Sequence, residues 1–394
     1  MKMRVIDEGI KLSEKYEGIR EFSGKEVKGA LDYIIKKIDQ SLDTFTYKFP
    51  APASNNNVYQ PTDNIGWTNG FWTGMLWLAY EYTGDAKYRN VAEIQCKSYK
   101  ERIEKQISVD HHDLGFLYSL SCVAGYKLTG NEEMKQTALK AADKLITRYK
   151  EKGEFIQAWG AIDDPNAYRL IIDCMLNLPL LYWASEVTGD VKYAEIAKKH
   201  AHTTLGTVVR DDASTHHTYY FDVETGAPKK GVTHQGYSND SSWARGQAWG
   251  IYGFPLSYIY TKNMDYITEA EKLTNYFLNR LPEDYICYWD LIFTNGDKEE
   301  RDSSAAAIAA CGMLEIIKHS NSQYVPFYKN AVNAIMRSLS GKYTTADIPE
   351  SNGVLLHAVY SKPGNNGVDE CNIWGDYYYM EALMRLHTDW KLYW

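Results

Sequence analysis

The sequence lacks the features that mark a membrane-bound or disulfide-stabilised protein. No apolar stretch approaches the roughly 18 uninterrupted residues of a transmembrane helix, and the N-terminal MKMRVIDEGI has no apolar run of the kind that forms a signal peptide. The 6 cysteines are scattered without a Cys-x-x-Cys pair, so we expect reduced, buried thiols. We therefore expect a soluble protein of the cytoplasm.

Other absences restrict the chemistry and the partners. The net charge of −8 argues against a surface that binds nucleic acid or an anionic membrane. No Gly-x-Ser-x-Gly motif of a serine hydrolase occurs. The neighbours His216 and His217, like His112 beside Asp113, do not have the spacing of metal ligands, so we expect neither a metal nor another cofactor.

The sequence is rich instead in aromatic residues that carry a polar atom. It has 32 tyrosines and 11 tryptophans against 11 phenylalanines. These side chains combine a flat apolar face with a hydrogen-bonding group. They suit a sugar-binding surface or an aromatic core, and composition alone does not distinguish the two.

A short turn occurs three times between stretches with helical periodicity. Its copies are YTGDAKY, LTGNEEM and VTGDVKY, at 82–88, 128–134 and 187–193. In each copy Gly ends one helix, because it adopts the left-handed conformation at low cost. The following Asp or Asn then caps the next helix. The pattern predicts tight hairpins of two helices.

Six apolar stretches alternate with six amphipathic ones. The apolar stretches are rich in Gly, Ala and Ser, as is typical of helices buried on all sides, and cover 66–82, 112–128, 172–187, 242–260, 303–318 and 373–387. The amphipathic stretches have apolar residues at helical spacing and cover 24–42, 86–106, 132–152, 190–208, 265–281 and 322–340.

Six helices of the first kind can be buried as an inner ring inside six outer helices. We therefore predict an all-α (α/α)6 barrel that forms a single domain over residues 1–394, although the chain length favours two domains. A superhelical solenoid is the alternative for repeated helix pairs. Short strands are expected at 217–223 and 353–360, near the mouth of the ring.

The inner helices all begin at one end of the predicted ring, where the long connections also meet. Long connections on a rigid scaffold usually carry the functional site, whereas the opposite end has only the short turns. The first residues of the inner helices are Trp67, Asp113, Asp173, Trp243, Ser303 and Trp374.

Asp113 and Asp173 are the candidates for acid–base chemistry. Neighbouring helices pack ~8–10 Å apart, so the two carboxylates could face one another across a pocket. A helix cap is the alternative role for each aspartate. Asp173, however, lies within the apolar segment RLIIDCMLNL, where the burial of a carboxylate costs free energy and therefore indicates a functional role. Burial would also raise its pKa, as a general acid near neutral pH requires.

Arg245 is the most informative basic residue. It lies within an otherwise buried helix, in THQGYSNDSSWARGQAWGIYG at 233–253. It is either the partner of a buried acid or a clamp for a substrate carboxylate. The tryptophans that could stack on a sugar, with a core position as the alternative, are Trp67, Trp72, Trp159 and Trp249.

Four motifs, in this order, carry a resemblance to a known family: WTNGFWTGMLWLAYEYTGD, HHDLGFLYSL, RLIIDCMLNLPLLYWAS and GYSNDSSWARGQAWGIYGF. Over roughly residues 30–390 the chain resembles the unsaturated glucuronyl hydrolases, glycoside hydrolase family 88. The resemblance implies an (α/α)6 barrel. It also implies an enzyme that hydrates the C4=C5 double bond of a Δ4,5-unsaturated uronic acid, at the non-reducing end of an oligosaccharide released by a polysaccharide lyase.

The resemblance also implies the roles of individual residues. Asp173 matches the general acid/base, and Asp113 matches a second essential carboxylate that binds ring hydroxyls and helps to hold the charge state of the site. The positions that line the sugar pocket are matched by Trp67, His112, Trp159, His217, Gln235, Arg245 and Trp249. His234 stands beside Gln235, where family members can have an arginine.

The expected substrates are unsaturated chondroitin or hyaluronan disaccharides, acted on by a monomer or weak homodimer. Unsulfated forms are favoured, because Lys362 is the only fixed cation in SKPGNNG at 361–367 and His234 replaces the arginine. Three alternatives stay open. These are a related hydrolase of unsaturated rhamnogalacturonyl disaccharides from pectin, a conventional inverting glycosidase on the same fold, and a non-catalytic carbohydrate-binding protein.

Overall fold

The structure, a computed structural model, describes residues 5–394, so the first residues of the predicted single domain lie outside the described part. Helices form most of it. Their bounds are α1 (Gly24–Ser41), α2 (Asn69–Thr83), α3 (Ala86–Glu104), α4 (Leu114–Tyr118), α5 (Ala124–Thr129), α6 (Glu132–Ile146), α7 (Leu178–Thr188), α8 (Lys192–Thr207), α9 (Ala244–Thr261), α10 (Met264–Leu278), α11 (Ser303–His319), α12 (Val325–Lys342) and α13 (Ile373–His387).

The three repeated turns form the predicted helix hairpins. Gly84, Gly130 and Gly189 end their helices in the left-handed conformation, with φ of 73°, 71° and 76°. After the first turn, Asp85 Oδ1 accepts a hydrogen bond from the backbone N–H of Lys87 at 2.9 Å and so caps α3. The turn prediction is therefore confirmed, and it fixes which helices are antiparallel neighbours.

Two of the predicted inner helices are interrupted. The second consists of α4, a π-helical turn at Ser119–Val123 and α5. The third consists of a 3-10 turn at Ile172–Leu176 followed by α7. A continuous α-helix would leave the carbonyl of Met175 without a donor, because Pro179 has no N–H. Pro179 instead lies in the first turn of α7, where no donor is required.

The inner helices contact one another in sequence order. The α2 helix contacts α4 and the π-helical turn, these contact α7, α7 and the 3-10 turn contact α9, α9 contacts α11, α11 contacts α13, and α13 contacts α2 again. The amphipathic helices pack outside them, with α1 on α13, α3 on α2, α8 on α7, α10 on α9 and α12 on α11.

Glycine permits the closest approach between the second and third inner segments. A Cβ on Gly115, in α4, would lie 2.3 Å from the Cα of Asn177 at the start of α7. The side chain of Asn177 bridges the two segments, since its Oδ1 accepts from the N–H of Phe116 at 2.7 Å and its Nδ2 donates to the carbonyl of Asp173 at 3.3 Å. This contact holds Asp113 and Asp173 on adjacent segments.

The strands are short and antiparallel. They are β1 (Phe49–Pro50), β2 (Pro61–Thr62), β3 (Tyr149–Lys150), β4 (Phe155–Ile156), β5 (Arg169–Ile171), β6 (Thr218–Phe221), β7 (Pro228–Val232), β8 (Ala358–Ser361) and β9 (Asn366–Glu370). The strand predicted at 217–223 contains β6, whereas the one predicted at 353–360 overlaps β8 only at residues 358–360. The largest sheet has the order β5-β6-β7, with Ile171 opposite Thr218 and Thr218 opposite Val232.

The core is aromatic and apolar, as the composition allowed. Trp77, Trp249, Trp374 and Trp394 are among its largest fully buried side chains. All six cysteines are free and buried, which confirms the prediction. Within residues 5–394, no helix is both long enough and apolar enough to cross a membrane.

Candidate active site

A cavity of about 340 Å³ lies where the inner helices begin and the long connections meet. This volume is in the range of small-ligand sites. Its lining includes seven of the residues predicted from the sequence: Trp67, Asp113, Trp159, Asp173, His217, His234 and Gln235. Arg169, Ile171 and Tyr360 also line it and were not predicted.

Asp113 and Asp173 reach the cavity from different local structures. Asp113 precedes α4, and its backbone N–H donates to Nδ1 of His111 at 3.1 Å. Asp173 lies in the 3-10 turn that follows β5. The backbone N–H of Ile172 donates to the carbonyl of His217 at 3.0 Å, which ties the start of this turn to the residue that precedes strand β6.

His112 lies beside both carboxylates. Its Nε2 is 3.3 Å from Oδ1 of Asp113 and 3.5 Å from Oδ1 of Asp173. One oxygen of each carboxylate and one imidazole nitrogen all lie within 4.8 Å of one another. Among the described residues, neither nitrogen of His112 nor Oδ1 of Asp173 has a hydrogen-bond partner. Such buried, unpaired polar atoms are exceptional unless a ligand or solvent satisfies them.

The pKa values of the two carboxyl groups are shifted in opposite directions. Burial, together with the negative charge of Asp113, raises the pKa of Asp173 well above its usual value, and Arg245 opposes the shift only in part. Burial would also raise the pKa of Asp113, but the imidazoles of His112 and His111 outweigh it and lower that pKa. Burial lowers the pKa of His112 to about 4, so its ring is neutral at pH 7. The two shifts favour a proton on Asp173 and a negative charge on Asp113.

Trp159 offers the exposed aromatic face that a sugar requires. Its side chain is 39% exposed and stacks on His111, with ring centroids 4.6 Å apart and planes 9° apart. Trp67 is less accessible, because its ring stacks on Trp374 at 5.4 Å and its Nε1 donates to the hydroxyl of Tyr360 at 2.9 Å. Trp159 is therefore the stronger candidate for stacking on a substrate.

Two other tryptophans are buried in the core, which was the alternative to stacking on a sugar. Trp249 is 1% exposed, does not line the cavity and packs against Phe116 with centroids 5.4 Å apart. Trp72 is buried too, with its Nε1 donating to the carbonyl of Phe45 at 3.3 Å. Trp249 supports the floor of the site through Phe116, which also packs against Trp67.

Arg245 is the partner of a buried acid. Its Nη1 lies 3.3 Å from Oδ2 of Asp302 and also donates to the carbonyl of Val359. Its Nη2 donates to Oε1 of Gln235 at 2.5 Å and to the carbonyl of Tyr360 at 2.7 Å. The N–H groups of both terminal nitrogens are thus occupied by the protein itself. A direct clamp on substrate stays a prediction.

Arg169 is the basic residue that sequence reasoning missed. It lines the cavity from β5, and its Nη1 donates to the hydroxyl of Tyr220 at 2.6 Å, while its Nε has no hydrogen-bond partner within residues 5–394. The signal available in the sequence was its place in RLIID, four residues before Asp173. Tyr360 is the last residue of a predicted strand, and nothing in the sequence around it indicated a place in the site.

The histidines of the cavity act as neutral groups. The backbone N–H of His234 donates to Nδ1 of His217 at 3.0 Å, so the neutral His217 ring carries its proton on Nε2. Burial, aided by the positive charge of neighbouring side chains, lowers the pKa of both histidines. Lys362 does not line the cavity, and its ammonium pairs with Glu300.

Two carboxyl groups with opposite pKa shifts, beside an exposed tryptophan in a small cavity, are an arrangement found in glycosidases. The sequence profile described as Glycosyl Hydrolase Family 88 matches residues 37–388. The chain belongs to this family, which confirms the resemblance seen in the four motifs.

Relatives and solved structures agree over the whole length. The chain is 51% identical to the unsaturated chondroitin disaccharide hydrolase of Streptococcus pneumoniae, with 100% of both chains covered. It is 44% identical to the unsaturated glucuronyl hydrolase of Bacillus sp. (strain GL1), over 90% of this chain and 95% of the relative. A crystal structure of unsaturated glucuronyl hydrolase from Streptococcus agalactiae superposes with a TM-score of 0.98 at 50% identity, covering 100% of both chains. The structure of a variant of that enzyme, complexed with dGlcA-GalNAc6S, superposes with a TM-score of 0.90 at 47% identity, again covering 100% of both chains.

Proposed function

We propose that this protein releases the Δ4,5-unsaturated uronic acid from the non-reducing end of unsaturated chondroitin and hyaluronan disaccharides. The observation that carries the proposal is the pair of carboxyl groups beside His112, of which Asp173 has a raised pKa and Asp113 a lowered one. Relatives with about half of their residues in common bear the name unsaturated chondroitin disaccharide hydrolase.

The reaction begins with protonation of C4 by Asp173. Positive charge then develops at C5 and the ring oxygen, and water adds at C5. The Asp173 carboxylate formed in the first step accepts the proton of this water, so one group serves as acid and then as base. The resulting hemiketal opens and releases the second sugar. The ionised Asp113 binds ring hydroxyls and keeps the pKa of Asp173 high before the first step.

The geometry disfavours a conventional inverting glycosidase. Such an enzyme separates its carboxyl groups by ~6.5–9.5 Å to accommodate the attacking water. Here oxygens of Asp113 and Asp173 lie within 4.8 Å of one another. A single acid/base group with a neighbouring charged carboxylate fits this separation better.

Substrate binding is assigned to the other residues of the cavity. Trp159 stacks on a sugar ring, and the Nε2–H of His217 donates to a hydroxyl or carboxylate oxygen. Arg169 is the cation for the uronate carboxylate, because it lines the cavity and Arg245 does not. Arg245 positions Gln235 and Tyr360, which do line it.

The (α/α)6 barrel is our proposal for the arrangement of the helices, as a single domain. It is supported by the succession of inner-helix contacts that returns from α13 to α2, which an open solenoid would lack. The monomer or weak homodimer and the cytoplasmic location stay predictions from the sequence.

A substrate panel tests the proposed function. Unsaturated chondroitin, hyaluronan and rhamnogalacturonyl disaccharides are each incubated with the protein, with saturated chondroitin disaccharide as the control. We expect turnover of the first two and none of the saturated sugar. Turnover of the saturated sugar would indicate a conventional glycosidase, and exclusive turnover of the rhamnogalacturonyl substrate would support the pectin-degrading alternative.

A further inference from the structure

Arg102, on the outer helix α3, is a buried cation that has no acidic partner. Its side chain is 1% exposed, and no carboxylate forms an ion pair with it within residues 5–394. Charged side chains are almost never fully buried unless they are paired or fully hydrogen-bonded. Arg102 does not line the active-site cavity, so its role depends on what its guanidinium holds.

Arg102 holds the segment that leads to Trp67. Its Nη1 donates to Oδ1 of Asn64 and to the carbonyl of Gly66, both at 2.9 Å. Its Nη2 donates to the carbonyl of Ile65 at 3.3 Å. Trp67, the next residue of the chain, lines the cavity. The backbone position of this tryptophan is therefore set by a cation on an outer helix.

The same guanidinium is connected to Asp113 through Ser108 and His111. The carbonyl of Ser108 accepts a hydrogen bond from Nη2 of Arg102 at 2.8 Å, and Nε2 of His111 lies 2.9 Å from the same oxygen. Only an N–H can donate to a carbonyl, so His111 carries its proton on Nε2. Its Nδ1 is then free to accept the backbone N–H of Asp113 at 3.1 Å. This relay fixes the tautomer of His111 and the start of α4.

The segment that carries Ser108 is strained. Gln106 and Ser108 have left-handed φ angles of 54° and 46°. A non-glycine residue keeps this conformation only where the surrounding structure holds it. Arg102 supplies such contacts, because its Nε donates to the carbonyl of Ile107 at 3.2 Å in addition to the bond to Ser108. Loss of the guanidinium would allow this segment to relax.

The charge of Arg102 also acts on the site. The ionisable groups that interact with this charge are Tyr99, Tyr118 and Asp113. Burial raises the pKa of both tyrosines, so both stay neutral. Among these groups Asp113 alone can be negative, and a nearby positive charge favours its ionised form.

We propose that Arg102 is a positioning residue of the active site, which holds Asp113 and Trp67 in place from α3 without contacting the substrate. The inference rests on the proposed function and deepens it. Two properties of the guanidinium can be separated by substitution. Arg102→Lys keeps the charge but cannot reproduce the planar set of hydrogen bonds, whereas Arg102→Met removes both.

The first test measures kcat and KM for unsaturated chondroitin disaccharide. We expect Arg102→Lys to lower kcat by up to about 10²-fold, because a displacement of about 1 Å within a site can have an effect of this size. Arg102→Met should lower it further. Arg89→Met, which removes an exposed arginine of the same helix, is the matched control and should resemble wild type. A wild-type kcat in Arg102→Lys and Arg102→Met would overturn the proposal.

The acid side of the pH profile of kcat/KM distinguishes positioning from a loss of stability. It reports the ionisation of Asp113, which His111, His112 and Asp173 also influence. Removing the positive charge of Arg102 raises the pKa of Asp113. The acid limb should therefore move to higher pH in Arg102→Met and stay in place in Arg102→Lys. A lower kcat with an unmoved limb in both variants would indicate a structural role only and overturn the proposal.

His111→Phe tests the relay with Arg102 intact, since it keeps a ring beside Trp159 and removes both nitrogens. We expect kcat to fall. Combined with Arg102→Lys, the loss should be smaller than the product of the two single losses, because both changes interrupt one relay. A multiplicative loss, or an unchanged kcat in His111→Phe, would overturn the relay even if the Arg102 variants did not fold. Absence of turnover by wild type would instead overturn the proposed function.

Discussion

One carboxylate oxygen of Asp113 and one of Asp173 lie within 4.8 Å of each other in a buried site, with Nε2 of His112 beside both. Two carboxyl groups at this distance cannot readily both be ionised, because each negative charge raises the pKa of the other group. The pKa of Asp113 is lowered beside the imidazoles of His112 and His111, whereas burial and the charge of Asp113 raise the pKa of Asp173, so of the two groups Asp173 holds a proton more readily. The predictions for catalysis follow from this asymmetry.

Replacing Asp173 with asparagine should abolish turnover and retain binding. The amide has nearly the shape of the protonated carboxyl but cannot give a proton to C4, so kcat should fall by at least about 10²–10⁴-fold. Turnover is measured by the loss of the ultraviolet absorption band of the unsaturated uronic acid, and binding is measured by calorimetric titration with the disaccharide. Undiminished turnover would remove Asp173 from the catalytic role.

The pH dependence of kcat/KM should reflect the same two groups. Activity requires protonated Asp173 and ionised Asp113, so it should fall above the raised pKa of Asp173 and below the lowered pKa of Asp113. In Asp113→Asn the neighbouring negative charge is gone, so the pKa of Asp173 falls and the basic limb of the residual activity should move to lower pH. A basic limb that stays in place would contradict the coupling.

The two arginines should respond differently to substitution. Arg169→Gln should raise the KM for the disaccharide with little change in melting temperature, because its side chain lines the cavity. Arg245→Ala leaves Asp302 buried and unpaired, which typically costs about 3–5 kcal/mol, so its melting temperature should fall. The sequence left two roles open for Arg245, the partner of a buried acid or a clamp for a substrate carboxylate, and its contacts favour the first. A normal melting temperature with weakened binding would favour the second.

Trp159 should contribute to binding through its aromatic face. Trp159→Ala should raise KM by up to about tenfold, corresponding to the ~0.5–1.5 kcal/mol of an aromatic contact. Trp159→Phe is the matched control, since it keeps a ring and should recover part of the affinity. If both variants bind like wild type, the sugar does not stack on this side chain.

Asp376, which lies outside the active-site cavity, should make the free energy of unfolding depend on pH. Burial raises the pKa of its carboxyl to about 7, although the N–H groups of Leu355 and Val354 and the hydroxyl of Tyr59 donate to it. Between pH ~4 and about 7 the folded protein holds a proton that the unfolded chain has lost. This contribution to the free energy of unfolding therefore falls as pH rises, by at most about 1.4 kcal/mol per unit.

Urea unfolding near pH ~5 and pH ~7 tests this prediction, because the carboxyl titrates between its ordinary and its raised pKa. The wild type should lose more stability over this interval than Asp376→Asn, which cannot titrate at this position. An equal loss in both proteins would show that Asp376 does not contribute.

The sequence predicted the elements that depend on local patterns. The adjacent residues Gly84 and Asp85 are enough to predict their turn, and the helical spacing of the apolar stretches is also a local pattern. The interruption before Pro179 also had a local cause, but the apolar pattern on both sides concealed it. Arg169 could not be placed, because it reaches the cavity through the pairing of β5 with β6. The partners of Arg245 were equally inaccessible, since Asp302 and Val359 lie far along the chain.

In the proposed reaction the double bond is consumed as the second sugar is released. The most direct measurement follows, in one reaction with unsaturated chondroitin disaccharide, the conjugated ultraviolet band and the free N-acetylgalactosamine. The band should disappear in step with sugar release, one double bond for each sugar. Release of the sugar with the band retained, or persistence of the band with every unsaturated uronide tested, would contradict it.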